Sequence, residues 1–167
     1  PPPPPPPPPP PFFFTPTTAY SPSLGLVGSE MCIRDSLQAF RDEFPDAPEL
    51  DDLAATVARG LQVRGDLENA SAILEGIEGP QSGLERAYLI LDMGEIAEGR
   101  DALLSVIEGL SPTEATEVIQ LAGLLGRLSV EAASILAQAG VLSHRGMLSE
   151  AMNVIIEQAD IVEAKER

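Results

Sequence analysis

The chain has 167 residues, 44% of them hydrophobic, and a formal net charge of −16, so it is long enough for one domain with a sizeable core. Ten basic residues against 26 acidic ones exclude a nucleic-acid surface, because holding phosphates takes clustered Lys and Arg that displace counterions. The single cysteine, Cys32, leaves no disulfide framework, and no apolar run reaches the roughly 18 residues that cross a bilayer.

Composition divides the chain at one place. Of its 17 prolines, 13 lie in the first 22 residues, and an ordinary mixture rich in Ala, Leu, Glu and Gly begins near Ser36. Leu26-Val-Gly-Ser-Glu-Met-Cys-Ile-Arg-Asp-Ser36 resembles one reading frame of the transposase end and adjoining primer used to prepare sequencing libraries. Thr18-Ala-Tyr20 resembles the outer adapter in that frame, with Ser21 to Gly25 in the place of a short index. Phe12 to Phe14 and Pro1 to Pro11 then fit homopolymer runs read beyond the end of the molecule, while Thr15-Pro-Thr17 departs from the adapter pattern. Residues 1–36 are expected to be a translated adapter, a disordered, low-complexity, non-native leader joined to a second unit, 37–167. Taken as protein, the eleven prolines would form a polyproline II rod able to dock in an aromatic groove.

From Leu37 onward, apolar residues recur at helical spacing between short Gly, Pro, Ser or Asp breaks, which predicts an all-α unit. Leu37, Phe40 and Phe44 share one face of a helix ended by Pro45. Asp46 with Glu49 has the capping-box pattern and opens a helix to about Val63, with Leu53, Val57 and Leu61 on its stripe. After Gly65, Asp66 caps a helix carrying Leu67, Ala70, Ile73, Leu74 and Ile77. Ser82 with Glu85 predicts the next helix start, and that helix runs through Tyr88 and Leu91 to Met93-Gly94. Its partner holds Ile96, Leu103, Val106 and Ile107. Ser111-Pro112-Thr113-Glu114 is the clearest start signal, a Ser cap, Pro at the first helical position and Glu three residues after the Ser. The helix it opens carries Val118, Leu121, Leu124 and Leu125. Ser129 caps another, with Ile135, Leu136 and Leu142, ending near His144, and a last helix spans Leu148 to about Ala159.

Short helices with short connections must pack on their sequence neighbours. Three segments repeat a glycine followed five residues later by a small residue: Gly65 with Ala70, Gly94 with Gly99, and Gly146 with Ala151. Large residues follow four positions on, at Leu74, Leu103 and Ile155. Counting back one unit puts Phe40 at the large position and Pro48 at a unit's end. This pattern resembles the tetratricopeptide repeat over most of Leu37 to Ile161. Gly65 to Gly94 is shorter than that family's unit, Gly94 to Gly146 holds one helix too many, and its tryptophan is missing. The resemblance implies stacked antiparallel hairpins, an α-solenoid whose concave face binds a protein or peptide. Because Leu37 falls inside what reads as a unit's second helix, and no capping segment precedes Arg167, a fragment of a longer protein is expected.

Catalytic sets are missing from this reading, so no enzyme, cofactor or metal is expected. His144 is the single histidine and, beside Arg145, is expected to complement a helix dipole. Asp42, Glu43, Asp46, Glu49, Asp51 and Asp52 lack the spacing and central glycine of a calcium loop. Gly123-Leu-Leu-Gly126 lacks the Lys and Ser or Thr of a phosphate loop, and Tyr88 reads as core. The acidity reads as a solvated surface and, more sharply, as a docking face for a basic partner. The expected function is a non-catalytic scaffold binding an unknown protein or peptide, without membrane insertion, soluble in a bacterial cytoplasm or periplasm. The alternatives are a regulatory or packing module of a larger enzyme, and a membrane-anchored or exported repeat protein.

Overall fold

The computed structural model describes residues 35–45 and 47–165, without the side chains of 159–165. The leader up to residue 34, Cys32 within it, and Asp46 lie outside the described residues. Regular structure among the described residues is entirely helical. Helix α1 covers 35–43 and so takes in Asp35 and Ser36. It is followed by α2 (Glu49–Val63), α3 (Leu67–Leu74), α4 (Pro80–Asp92), α5 (Ile96–Ser105), a 3-10 turn (Ile107–Gly109), α6 (Pro112–Leu125), α7 (Val130–His144) and α8 (Leu148–Lys165). None of the helices among the described residues is long and apolar enough to cross a membrane.

Several boundaries follow from local chemistry. Asp66 caps α3, accepting from the Asn69 backbone N–H at 3.3 Å, and Ser129 caps α7 through Ala132 N–H at 3.3 Å. At α6 the capping box forms in both directions: Glu114 N–H donates to Ser111 Oγ at 3.4 Å, and Ser111 N–H donates to Glu114 Oε2 at 3.0 Å. These reciprocal bonds satisfy the N–H groups of Ser111 and Glu114, while Pro112 between them has none to satisfy.

Other boundaries differ from the expectation. Glu49 is the first residue of α2 and Pro48 its cap, with no side-chain cap bond. A capping box needs the Glu a full turn inside the helix, so Glu49 serves instead with Asp51 and Asp52 as favourable charge at the positive helix end. Helix α3 stops at Leu74, because Glu75 turns to an extended conformation and Gly76 takes φ +69°; Ile77 reaches the core from the loop. Helix α4 begins at Pro80, two residues before Ser82, since proline at the first helical position needs no N–H partner. Its cap residue is Gly79, which has no side chain, and the capping is done from another helix. Asp51 on α2 accepts from Gln81 N–H at 2.9 Å and Ser82 N–H at 2.7 Å. Ser82 is buried with its hydroxyl donating to the Asp51 carbonyl at 3.3 Å. Helix α5 ends at Ser105, with Ile107 in the 3-10 turn, and α8 extends past Ala159.

Helix α4 is central, packing against α2, α3, α5 and α7. Two apolar clusters meet along it. Leu37, Leu50, Ala54, Ala58, Leu61, Ala70, Ile73, Leu74 and Ile77 form one together with Leu89 of α4. The other joins Leu84, Ala87, Tyr88 and Leu91 of α4 to Leu103, Val118, Ala122, Leu125, Ala133, Ala137 and Val141. The buried stripe of α2 is therefore Leu50, Ala54, Ala58 and Leu61; Leu53 is exposed and Val57 only half-buried. Alanines lie where α2 meets its neighbours, and their small side chains allow the close approach. On α6, Val118 and Leu125 are buried while Leu124 faces outward.

Three hairpins repeat one geometry: α2 packs against α3, α4 against α5, and α7 against α8. Each turns at a glycine in the left-handed region, Gly65 at φ +79°, Gly94 at +86° and Gly146 at +79°, where a Cβ would be strained. The bonding is the same at each turn. Asp66, Glu95 and Met147 N–H donate to the carbonyls of Leu61, Ile90 and Leu142 at 3.0, 3.2 and 2.9 Å, the six-to-one bond of a Schellman motif. Helix α6 stands between the second and third hairpins, packed on α5 and α7.

Candidate functional site: a buried polar junction

The hairpin positions marked by the sequence repeat occupy equivalent places. Ala70, Gly99 and Ala151 are all buried, each at the start of the second helix of its hairpin, with N–H donating to the carbonyls of Asp66, Glu95 and Met147 at 3.1, 2.8 and 3.0 Å. Gly99 leaves least room: a Cβ there would lie 2.5 Å from Leu91 Cδ2 and 3.1 Å from Leu91 N. Leu74 and Leu103 are fully buried, whereas Ile155 is 47% exposed. Phe40 is half-buried on the first cluster, its ring 5.3 Å from that of Phe44. Pro48 is exposed at the head of α2. These residues are distributed along the stack and do not converge on one point.

Where polar side chains do converge is between the two apolar clusters. Glu85, on α4, is fully buried. Its Oε1 accepts from Arg59 Nε at 2.8 Å, with Arg59 Nη2 bonded to the same oxygen, and its Oε2 accepts from Gln62 Nε2 at 2.9 Å. Arg59 and Gln62 are one turn apart on α2. From the far end of α7, His144 Nε2 lies 2.8 Å from Glu85 Oε1; facing a carboxylate, that nitrogen is the donor. The imidazole also stacks on Tyr88, with ring centroids 3.8 Å apart and planes 11° from parallel. Glu85 thus ties α2 and α7 to α4 in one network.

Electrostatics follow from this geometry. Burial alone drives the Glu85 carboxyl upward, but the hydrogen bond and charge of His144, followed by those of Arg59, outweigh it and hold the group below the ordinary carboxylate range. Burial first, then the Glu117 and Glu85 charges, push the Tyr88 phenol up to about 12. Gln62 Oε1 is buried without a hydrogen-bond partner among the described residues. With both Glu85 oxygens occupied by donors and closed off from solvent, its carboxylate is poorly placed to take up a proton from anything else. What the arrangement does chemically is fix the rotation and height of three helices relative to one another.

One expectation is corrected here. Glu85 is no capping residue: it points into the junction, and Ser82 bonds to Asp51 instead. His144 does stand in the last turn of α7, as expected, and its ring in addition reaches Glu85. Arg145 takes the neighbouring carboxylate, with Nη2 donating to Asp92 Oδ2 at 2.8 Å. Glu85 shares one side of α4 with Gln81, Ser82 and Asp92, so by helical spacing it reads as a surface carboxylate and no local signal marks it as buried. Nothing local announces Arg59 or His144 as its partners.

Among the described residues no group of three or more His, Cys, Asp or Glu side chains is placed to hold a metal. A cleft of about 330 Å³ beside α1 is lined by Leu37, Gln38, Arg41 and Ile73; the Arg41 guanidinium in it donates to the Glu75 carbonyl at 2.8 Å. Comparison with known proteins gives no match, whether to a family model, a curated protein or a solved structure.

Proposed function

We propose that residues 37–167 are a non-catalytic helical-repeat scaffold of the tetratricopeptide type, stacked as a solenoid, that binds a protein or peptide. The observation that carries this reading is the threefold recurrence of one hairpin, with equivalent glycine turns, equivalent backbone bonds and equivalent small residues in the packed helices. Repeated hairpins build an extended surface, and such surfaces serve recognition more often than chemistry. The net charge of −15 on residues 37–167 favours a basic ligand, which would be drawn in at low ionic strength.

The test is binding of the full chain to a panel of basic, neutral and acidic peptides, read by calorimetry at low and high salt. Saturable binding of basic peptides, weakened by salt and by a double charge reversal, Asp52→Lys with Glu117→Lys, is the expected result. Equal indifference to every peptide class would overturn the reading. The leader, residues 1–36, belongs in this proposal to sequencing chemistry rather than to the protein. Resequencing the source DNA without that transposase end should replace it with other coding sequence; its persistence in the genome would refute that part.

A further inference from the structure

Tyr88 carries a polar group that the junction does not use. Its side chain is only 8% exposed and His144 covers one face of the ring, yet its hydroxyl bonds to none of the described residues. The polar atoms both sealed from solvent and unpartnered among the described residues are Gln62 Oε1 and Arg145 Nε, so the phenol oxygen, unpartnered too, is reached by solvent. Helical spacing shows which way it opens. Gln81, Glu85 and Tyr88 lie four and then three residues apart, on one face of α4. At the head of that face Gln81 reaches across to α6, its Nε2 donating to Glu114 Oε1 at 3.2 Å. Glu117, one turn beyond Glu114, is exposed and makes no hydrogen bond or ion pair among the described residues. After burial, the Glu117 charge is the largest influence on the phenol, ahead of Glu85 one turn away on α4, while Arg59 opposes them least. With the phenol pushed up to about 12, the group is a neutral hydroxyl with lone pairs to offer.

We infer that the Tyr88 hydroxyl and the Glu117 carboxylate form a subsite for one cationic side chain, a lysine or arginine, of a bound peptide. An ammonium or guanidinium offers donors and no acceptor, which matches a hydroxyl oxygen beside a carboxylate. An anionic side chain would meet Glu117 and Glu114, and a neutral donor would leave Glu117 without a counter-charge. The basic groups nearby are already committed, since Arg59 and His144 share one oxygen of Glu85. An exposed ion pair contributes little by itself, so the cation is held as part of a longer chain lying across α4 and α6 rather than as a free small amine. The subsite rests on the peptide-binding reading and places the ligand's charge within it.

Calorimetry on the full chain tests it, using a lysine-containing basic peptide without aromatic residues and versions with norleucine in place of each lysine in turn. Tyr88→Phe keeps the ring and its stack on His144 and removes the hydroxyl alone; it should weaken binding roughly two- to tenfold. Glu117→Gln should weaken it roughly two- to fivefold, and Glu98→Gln, on α5, should leave it unchanged. At one lysine position, norleucine should erase the difference between wild type and both variants, as groups that meet the same side chain require. The chain has two tyrosines and no tryptophan, so in a Tyr20→Phe background the emission of Tyr88 should change as that peptide binds. Should Tyr88→Phe lose helicity, Glu117→Gln and the emission carry the comparison. Basic peptides that bind equally well to both variants, lose affinity alike whichever lysine is replaced, or leave the Tyr88 emission constant would overturn the subsite and leave the scaffold reading standing. A chain indifferent to every basic peptide would overturn both.

Discussion

His144 lies flat on Tyr88, ring centroids 3.8 Å apart, and from that position its Nε2 meets Glu85 at 2.8 Å. The stack fixes the imidazole plane while the carboxylate fixes its in-plane rotation, so the last residue of α7 is held to the central helix in two independent ways. Because Arg59 and Gln62 approach the same carboxylate from α2, its removal should be felt on both sides of α4.

Glu85→Ala leaves the buried donors of Gln62 and His144 without an acceptor and opens a void between the clusters. Losing one partner of a buried charged network typically costs about 3–5 kcal/mol, and the half-exposed Arg59, free to turn to solvent, moves the expectation to the lower end. Urea denaturation measures it; a loss under about 1 kcal/mol would show that the network contributes little.

Acid should weaken the same network. The folded Glu85 carboxyl lies below its ordinary value, so the folded chain holds that proton less tightly than the unfolded one. Its stabilisation is therefore full above the unfolded value near 4.3 and is lost as pH falls through the folded value. The stability difference between wild type and Glu85→Gln should narrow on acidification below about pH 4. A difference that widened there would reverse the sign argued here.

Equivalent repeat positions should respond unequally. Leu74 and Leu103 are fully buried, and truncating either to Ala should cost about 2–5 kcal/mol. Ile155 occupies the same place in the third hairpin but is exposed, and in dilute solution Ile155→Ala should stay within about 0.5 kcal/mol of wild type. Thermal melts of the three variants side by side decide the matter.

Asp51→Ala removes the carboxylate that caps α4, and Gly79 has no side chain to replace it. A lost cap costs roughly 0.5–2 kcal/mol, and Asp51→Asn, which keeps an acceptor oxygen, should recover part of it. Amide hydrogen exchange at Gln81 and Ser82 reports the site directly: both should exchange faster in the alanine variant, and unaltered protection would contradict the cross-helix cap.

How much of this was legible depended on distance along the chain. The Ser111 and Glu114 box and the three glycine turns are set by contacts within six residues, and their residue types announce them. The helix succession was readable for the same reason. The cap on α4 and the junction were not, since Glu85 draws Gln62, Arg59 and His144 from 23, 26 and 59 residues away and no local pattern records those pairings. The core face of α2 was misplaced because Leu53 weighs more than Ala54 on any hydrophobic scale, whereas close helix packing selects the smaller residue. Ile155 illustrates the converse limit: its sequence position matches Leu74, but its burial depends on what stands beside α8.

Helix α4 lends Leu84, Ala87, Tyr88 and Leu91 to one apolar cluster and Leu89 to the other. The molecule therefore has no clean seam. A protein engineer seeking a minimal unit, or recombination shuffling hairpins between genes, could cut after Leu74 or before Pro112 and find that both products claim the same helix. Only a piece that keeps α4 together with its neighbours on each side leaves neither core open to water.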